Sequence, residues 1–373
     1  MNFVSLLAAV GFALGFVPVS AVAQTSTVRT EVVARGLENP WALAFIGDGR
    51  MLVTERPGRM RVIGPDGQLG EPLAGLPAVV AQGQGGLLDV ITDRDFARNR
   101  TVYFCYSEPA ASGSANSTAM ARAVLSADLR QLEQVRVIFS QKPKFASRLH
   151  FGCRIAQAAD GNLFLALGDR FQRMTDAQTL DNHHGKVVRV RPDGSVPGDN
   201  PFLKTAGALP EIWSIGHRNP QGLAIGPDGR LWEIEHGPQG GDEINRPEAT
   251  KNYGWPVITY GENYGGGAIG EGITAKPGLE QPLHQWTPSI AASGMAFVSS
   301  DRYGPDWVGN LLVGSLKFRY LARLTLDGTK VVKEERLLPN LKERVRDVRQ
   351  GPDGFIYLLT DERDGELLRL LPR

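Results

Sequence analysis

A recurring Asp-Gly turn between two apolar runs is the feature that most constrains how this chain can fold. Four copies share the pattern: LAFIGDGRMLVTER (43–56), IAQAADGNLFLALGD (155–169), LAIGPDGRLWEIEH (223–236) and VRQGPDGFIYLLTD (348–361). Asp-Gly between alternating apolar runs indicates a β-hairpin, because glycine adopts the positive φ that a tight turn needs. Two weaker copies carry a longer polar turn: LLDVITDRDFARNRTVYFCYSE (87–108) and MAFVSSDRYGPDWVGNLLVGSL (295–316). The sequence therefore predicts six hairpin units.

The spacing of these units predicts an all-β chain folded as a six-bladed β-propeller. The units lie roughly 45–70 residues apart, near the length of a propeller blade, and the longer spacings carry insertions. The 44 glycines and 24 prolines agree with many short strands joined by turns. A sandwich or a β-helix is the alternative, but neither explains the long interspersed loops as well. In a propeller we expect the functional site over the central channel.

Composition and missing motifs remove several functional classes. Lys and Arg number 41 against 40 Asp and Glu, with no basic tail or stripe, so no nucleic-acid partner is expected. The sequence has no GxSxG, P-loop, HExxH or paired CxxC motif, which removes the usual hydrolase, NTPase and zinc-site interpretations. It also has no GxGxxG after a strand, so a Rossmann dehydrogenase is unsupported.

The N-terminal residues 1–23 have the form of a secretory signal peptide. They are apolar and uncharged and end in Ala21-Val22-Ala23, a small-x-small pattern that predicts cleavage after Ala23. An uncleaved membrane anchor is the alternative, and no later segment is apolar enough to cross a bilayer. We therefore expect a periplasmic or secreted protein whose residues 24–373 form one catalytic domain without stable membrane insertion. In an oxidising compartment, Cys105 and Cys153 could form a disulfide, or they could be two buried thiols.

The densest chemistry lies between Ser214 and Tyr264. Arg218 and Asn219, in GHRNPQG, form a fork of donors suited to carboxylate or carbonyl oxygens. Asp242 and Glu243 follow in GGDEIN, and hard oxygen ligands of this kind suit Ca²⁺. The sequence thus indicates a site for a charged, planar ligand and a metal.

Three further residues could carry catalysis. His150, where a loop leads into a strand, is a candidate general base, although a structural histidine is the alternative. Asp169 ends a strand and could orient that base or cap a turn. Gln84 lies in a glycine-rich segment that lets backbone approach a ligand, or that is merely a turn.

Cations and aromatic residues elsewhere could complete a site. Lys317, Arg344 and Arg346 could converge on the channel and bind a polyanion, or could be solvated surface charges. Arg344 and Arg346, two residues apart, would project on the same side of a strand. Trp286 and Tyr264 could stack on a flat ligand or pack a loop.

Taken together, these motifs resemble the soluble aldose sugar dehydrogenases that depend on pyrroloquinoline quinone (PQQ), in the glucose/sorbosone dehydrogenase family. The motifs run in family order over almost the whole mature chain: NPWALAF (39–45), GQGGLLDV (83–90), HFGCRIA (150–156), GKVVRVRPDGSVPGDNPF (185–202), GHRNPQGLA (216–224), EHGPQGGDEIN (235–245), KNYGWP (251–256), SGMAF (293–297), GSLK (314–317) and RVRDVRQGPDG (344–354). The resemblance implies a six-bladed propeller with PQQ and Ca²⁺ over the channel.

The same resemblance implies roles for particular residues. His150 matches the catalytic base, Asp169 a carboxylate that assists it, and Arg218 a group that stabilises negative charge on the quinone oxygen. The matched cofactor contacts are Gln84, Arg218, Asn219, Tyr264, Ser315, Leu316, Lys317, Arg344, Val345 and Arg346. The matched metal ligands are Gly237 and Pro238, through their carbonyls, for the cofactor's Ca²⁺, and Glu243 and Tyr253 for a second, structural Ca²⁺. His236 is interpreted as a spacer.

One departure from the glucose-specific members shapes the expected partners. The segment between Gly261 and Trp286 is short and lacks a long insertion that contributes to their dimer contact and substrate pocket. We therefore expect a broad-range aldose enzyme, a monomer or weak dimer, with an electron acceptor that the sequence does not identify. The alternatives are a Ca²⁺-dependent propeller lactonase or esterase and a noncatalytic sugar-binding propeller.

Overall fold

The computed structural model describes residues 28–373, so the predicted signal peptide at residues 1–23 lies outside the described residues. The described chain forms six antiparallel sheets arranged as a β-propeller, which confirms the predicted fold class. Its strands, in chain order, are β1 (Val28–Leu37); β2 (Pro40–Gly47), β3 (Arg50–Glu55) and β4 (Arg59–Ile63); β5 (Leu87–Thr92), β6 (Thr101–Pro109), β7 (Asn116–Leu125) and β8 (Leu132–Ser140); β9 (Gly152–Gln157), β10 (Leu163–Leu167), β11 (Lys186–Val190) and β12 (Ile212–Ile215); β13 (Pro220–Ile225), β14 (Leu231–Glu235), β15 (Asp242–Asn245) and β16 (His284–Trp286); β17 (Ala292–Phe297), β18 (Leu311–Ser315), β19 (Leu321–Asp327) and β20 (Lys330–Leu337); β21 (Val345–Gln350), β22 (Ile356–Thr360) and β23 (Gly365–Pro372).

Helices are few within the described residues. They are a one-turn α-helix, α1 (Phe96–Asn99), and three 3₁₀ turns at Met174–Gln178, Asp301–Tyr303 and Pro305–Trp307. None of them is long and apolar enough to cross a membrane.

Each of the six predicted hairpins is the innermost strand pair of a blade. The Asp-Gly units form the pairs β2–β3, β9–β10, β13–β14 and β21–β22, and the two longer turns join β5 to β6 and β17 to β18. The turns have the expected geometry: Gly161 has a φ of 85°, and the Asp160 carboxylate accepts a hydrogen bond from the backbone of Asn162 at 3.0 Å.

Burial along the strands follows from the way the blades pack. Middle strands such as β10 and β22 are buried at every position, because both faces of each sheet lie against neighbouring blades. The outermost strands β1 and β20 alternate with exposed residues, since they form the edge that water reaches. The core therefore consists of apolar layers between successive blades.

The ring closes through the chain termini. The last sheet has the order β1-β23-β22-β21, so the N-terminal strand completes the blade that the C-terminal strands begin. This antiparallel pairing joins Val28 to Pro372. Within residues 28–373, the first blade consists of the three strands β2-β3-β4.

The first strands of the blades surround a channel that a buried charge cluster fills. Arg154 from β9 bonds to Asp347 at 2.9 Å and to Asp89 at 3.3 Å, and Arg349 bonds to the same two carboxylates at 2.8 and 2.6 Å. The Arg154 guanidinium also lies 4.0 Å from the centre of the Trp41 ring. We call these five residues the channel plug; it forms a floor beneath the loops that lead into the first strands.

A disulfide links the second and third blades. Cys105 in β6 and Cys153 in β9 are bonded, with their Cα atoms 5.9 Å apart, and both are fully buried. The structure therefore decides between the two alternatives for this pair in favour of the disulfide.

Candidate active site

The loops that lead into the first strands gather at one end of the channel and enclose a cavity of about 160 Å³, here called the central cavity. Gln84, Asn219 and Arg344 each lie shortly before the first strand of a different blade. The wall consists of Trp41, Arg56, Gln84, Leu88, Phe151, Gly152, Asn219, Gln221, His236, Ala291, Leu316, Arg344, Arg346 and Asp361. Residues far apart in sequence thus meet over the channel, as the propeller interpretation predicted.

Two arginines of this wall share one carboxylate. Arg346 and Arg344 bond to the same oxygen of Asp361, at 2.7 and 3.1 Å. Burial raises the pKa of Asp361, but the charge and hydrogen bond of Arg346 and the charges of Arg344 and Arg56 lower it overall. The predicted same-side projection of the two arginines therefore holds, and the cavity wall keeps a positive charge that one carboxylate only partly balances.

Beside the central cavity lies a second one of about 300 Å³, here called the rim cavity. It is lined by His150, Asp169, Phe171, Gln172, Met174, Arg218, Pro238, Trp255, Asn263, Tyr264 and Ile269. Tyr264, matched to a cofactor contact, stands at its rim with 66% of its surface exposed.

His150 and Asp169 form a buried hydrogen-bonded pair at the base of the rim cavity. His150 Nδ1 lies 2.6 Å from Asp169 Oδ1, and the second carboxylate oxygen accepts a hydrogen bond from Trp255 Nε1 at 2.7 Å. The backbone N–H of His150 donates to the Gln84 side chain at 2.8 Å, so the glycine-rich segment positions the imidazole from behind. With Nδ1 engaged, Nε2 is the ring nitrogen free to exchange a proton with a ligand.

The electrostatics of the pair keep the imidazole neutral and the carboxylate charged. Burial lowers the pKa of His150, and the positive charge of Arg218 lowers it further, against the opposing effect of Asp169. Burial raises the pKa of Asp169, but the hydrogen bond with His150 and the charges of His150 and Arg218 lower it overall. A neutral imidazole held by a carboxylate has the state that a general base needs.

Arg218 lines both the rim cavity and a third, smaller pocket. Its Nη1 donates to the carbonyls of His236 and Gly237 at 2.9 and 2.7 Å, and its guanidinium lies 5.1 Å from the centre of the Trp255 ring. Both Arg218 and Asn219 donate their backbone N–H to Glu235. Both residues are buried, so the pair does not form an exposed surface turn.

The third pocket is acidic. It is lined by Arg218, Glu235, His236, Gly237, Gly241, Glu243, Tyr253, Trp255, Ile258 and Thr259. Glu235 forms a cluster with Glu233 and His217, in which one polar atom of each residue lies within 4.8 Å of those of the other two. Burial and the charge of Glu235 raise the pKa of both Glu233 and Glu243. We call Glu233, Glu235, Glu243, His217 and Asn245 together the acidic pocket.

The predicted metal ligands lie at this pocket in different ways. The carbonyl of Gly237 accepts a hydrogen bond from Arg218, and Pro238 lines the rim cavity. The Tyr253 hydroxyl is already engaged by Arg246 and Glu248, while its ring stacks on His217 with centres 4.9 Å apart. Its backbone carbonyl is therefore the group that it can offer to a cation.

Several matched residues do not line a cavity. Lys317 is exposed, with its ammonium 5.1 Å from the Phe318 ring. Ser315 is buried and its hydroxyl donates to the Ile290 carbonyl, while the Val345 carbonyl accepts from Ser293. The convergence of Lys317 with Arg344 and Arg346 stays a prediction.

Other residues first interpreted as packing or left out belong to the site. His236, interpreted as a spacer, lines the central cavity. Asp361 holds the two arginines, and Trp255 donates a hydrogen bond to Asp169. By contrast, Trp286 packs in the core, with its indole N–H donating to Glu334.

A signal for some of these was present in the repeats. In each of the four Asp-Gly units, a carboxylate lies at the end of the second strand or within two residues after it: Glu55, Asp169, Glu235 and Asp361. The last three all face the site, so this recurrence could have identified Glu235 and Asp361.

Comparison with known proteins places the chain in a family. The family model described as Glucose / Sorbosone dehydrogenase matches residues 37–369. Aldose sugar dehydrogenase YliI of Escherichia coli K12 is 48% identical over 356 residues, which cover 94% of this chain and 95% of that protein.

Two solved structures extend the comparison. The apo-form of the soluble aldose sugar dehydrogenase of Escherichia coli superposes with a TM-score of 0.89 at 46% identity, covering 93% of this chain and 100% of that one. The PQQ-bound aldose sugar dehydrogenase of Streptomyces coelicolor has a TM-score of 0.74 at 26% identity, covering 92% and 98%. The chain therefore belongs to the glucose/sorbosone dehydrogenase family and is an oxidoreductase built on a six-bladed β-propeller.

Proposed function

We propose that this protein is a PQQ-dependent dehydrogenase that oxidises aldoses at the anomeric carbon to lactones. The observation that carries the proposal is that a candidate general base and an arginine-lined cavity lie side by side at one end of the channel. A neutral, carboxylate-held imidazole at His150 opens on the rim cavity, and an arginine-lined central cavity adjoins it. A sugar and an anionic redox cofactor would meet where these cavities touch.

The central cavity fits a flat tricarboxylate such as PQQ. Three buried polar atoms at its wall have no hydrogen-bond partner among the described residues: Nε of Arg346, Nε2 of His236 and Oδ1 of Asp361. Such orphaned groups are costly in a folded protein, so they commonly mark a place where a ligand completes the bonding. Arg344 and Arg346 would hold carboxylates by charge-assisted hydrogen bonds, with Gln84 and Asn219 contributing amide contacts.

The oxygen-rich surroundings fit Ca²⁺. Buried carboxylates this close repel one another, and their raised pKa values mean that protons or a cation must compensate the charge. We propose that Glu243 and Tyr253 hold a structural Ca²⁺ at the acidic pocket, and that the Gly237 and Pro238 carbonyls hold the cofactor's Ca²⁺. Hard oxygen donors are the ligands that Ca²⁺ prefers.

The residues of this chain would divide the chemistry between them. When bound, Ca²⁺-associated PQQ supplies a polarised quinone carbonyl that accepts a hydride. His150 Nε2 takes the proton of the anomeric hydroxyl, and Asp169 stabilises the imidazolium while Trp255 fixes the carboxylate. Arg218 lies where it can stabilise developing negative charge.

We also propose export and a simple set of partners. Cleavage after Ala23 would release residues 24–373 as one domain into the periplasm or medium, and the buried disulfide suits an oxidising compartment. The partners would be an aldose and an electron acceptor of unknown identity, with the protein a monomer or weak dimer. N-terminal sequencing of exported protein beginning at Gln24 is the expected result.

Reconstitution tests the proposed reaction. Apoprotein is mixed with PQQ and Ca²⁺ and assayed for dye reduction with a panel of aldoses, alongside lactones and esters as hydrolysis substrates. We expect dye reduction only when cofactor and sugar are both present. Hydrolysis without cofactor would favour the lactonase alternative, and inertness to every substrate would favour a sugar-binding propeller.

A further inference from the structure

Two consecutive residues after Asp169 adopt a backbone conformation that side chains disfavour. Arg170 has a φ of 61° and Phe171 a φ of 67°. Residues with a Cβ rarely occupy this left-handed region, and a bulky aromatic residue there persists only where its surroundings impose it. Strain of this kind gathers at functional sites.

The Arg170 side chain imposes the conformation. It is fully buried, donates to the carbonyls of Leu149 and Ser147 at 3.1 and 2.8 Å, and lies 3.7 Å from the centre of the Phe151 ring. The Phe171 N–H then donates to Asp169 Oδ1 at 2.7 Å, the same oxygen that holds His150. The loop is therefore fixed from below and tied to the His150–Asp169 pair.

This fixed loop displays an aromatic ring instead of burying it. Phe171 is 41% exposed, and its ring contacts the His150 ring edge to face, with centres 5.2 Å apart and planes at 86°. It lines the rim cavity with Met174, Trp255 and Ile269, so the wall beside the imidazole is apolar. An exposed aromatic ring held beside a polar reaction centre is suited to a ligand that has one apolar face.

We propose that Phe171 is a specificity-determining residue that packs against the apolar C–H face of a pyranose ring and so holds the anomeric carbon beside His150. The inference rests on the proposed function and extends it, since it assigns the selection of cyclic sugars to a residue with no role in the proposed proton transfer. Burial of C–H groups against the ring supplies the affinity, while the hydroxyl rim of the sugar stays hydrated.

Variants at this position separate binding from chemistry. In the holoenzyme, Phe171→Ala should raise KM for aldopyranoses roughly 10-fold, with kcat within about 3-fold of wild type. It should raise by a similar factor the inhibition constant of 1,5-anhydroglucitol, a pyranose without the anomeric hydroxyl. Phe171→Trp should retain wild-type values, and Leu203→Ala, at an equally exposed apolar side chain away from the cavities, should change neither constant.

A glycine variant controls for folding. Phe171→Gly removes the ring and relieves the backbone strain, so it should match Phe171→Ala in KM while its Tm stays at or above that of wild type. Binding of 1,5-anhydroglucitol to these variants can also be read from tryptophan fluorescence, because Trp255 lines the same cavity.

The outcomes distinguish this inference from the proposed function. If wild-type protein shows no PQQ-dependent turnover of any aldose, the proposed function fails. If wild type turns over sugars but Phe171→Ala leaves KM and the inhibition constant unchanged, only the role of Phe171 is overturned. A fall in kcat with unchanged KM would also overturn it, since the ring would then act through His150.

Discussion

The His150 imidazole is buried, yet it is kept neutral by its neighbours. Burial and the Arg218 charge lower its pKa below the ordinary value of 6.5, while the Asp169 carboxylate favours the protonated form less strongly. A base with a lowered pKa stays unprotonated as the solution becomes mildly acidic. The site is thus built to accept a proton over a wide pH range, at some loss of intrinsic basicity.

This predicts the acid side of the pH profile. In the holoenzyme, kcat/KM should be flat from about pH 8 to 6.5 and fall only below 6.5, the ordinary pKa of histidine, because only there does His150 become protonated. Steady-state rates at saturating dye across pH 4–8 measure the limb. A limb with its midpoint above 6.5 would show that His150 is not the base or is not neutral in the enzyme.

Arg346 supports a second prediction at this scale. It is buried, bonds to Asp361 and Gln221, and has an unpartnered Nε at the central cavity. Arg346→Gln should weaken PQQ binding about 10- to 100-fold, the effect of losing a hydrogen bond between charged groups. Fluorescence titration of apoprotein with PQQ measures this, with the exposed Lys333→Gln as control; equal affinities in both variants would remove Arg346 from the cofactor site.

Individual site residues differ in how far the sequence predicted them. His150, Arg218 and the Arg344–Arg346 pair could be predicted, because they sit in motifs just before a first strand. Trp255 and Phe171 could not, since their importance comes from a hydrogen bond across 86 residues and from an unusual φ. Lys317 is exposed, and its convergence with the arginines stays a prediction.

At the scale of elements, the pairing of β14 with β15 creates the acidic pocket. The antiparallel register places Glu235 opposite Glu243 and Glu233 opposite Asn245, so three carboxylates meet around one amide. Burial raises the pKa of Glu233 and Glu243, and the charge of Glu235 adds to it. Two short strands therefore hold a charge that the fold alone does not neutralise.

The pocket predicts coupling between Ca²⁺ and pH. Because the folded-state pKa values lie above the ordinary 4.5, the apoprotein loses stability as pH rises through and above that value. Ca²⁺ would replace the protons, so it should raise Tm more at pH 8 than at pH 5, and Glu243→Gln should reduce the rise. Thermal unfolding with Ca²⁺ or EDTA measures it; a Ca²⁺ effect independent of pH would contradict the account.

The hairpins show why some elements could be read from sequence and others could not. Asp-Gly turns are local, so β9–β10 and β21–β22 follow from a few adjacent residues. The pairing of Val28 with Pro372 joins residues that are far apart in sequence and meet only in the finished ring. No short pattern encodes it.

At the scale of the whole molecule, the channel plug joins four blades beneath the site. Arg154 bonds to carboxylates from β5 and β21 and also donates to the Arg346 carbonyl at 3.3 Å. The plug, which forms the floor of the channel, is therefore hydrogen-bonded to the backbone of Arg346, whose side chain lines the central cavity. Burying an ion network of this kind costs desolvation free energy. A partly formed ring that leaves one of these charges buried without its partner is strongly destabilised.

Removing one member of the plug should destabilise the propeller. Arg154→Met leaves Asp89 and Asp347 with only Arg349 as a cation, and we expect the free energy of unfolding to fall by about 3–5 kcal/mol. Urea titration followed by fluorescence measures it, with the exposed Arg98→Met as control. A loss below about 1 kcal/mol would show that the plug does not hold the blades together.

The measurement that tests the central claim most directly is a single turnover without dye. Wild-type protein and His150→Ala are loaded with PQQ and Ca²⁺, mixed with an aldose, and followed by the absorbance of the cofactor. We predict equal PQQ affinity in both proteins and a reduction rate about 10²- to 10⁴-fold slower in the variant, the usual loss for a general base. Equal reduction rates in the two proteins, or no reduction by any aldose in loaded wild type, would contradict the account.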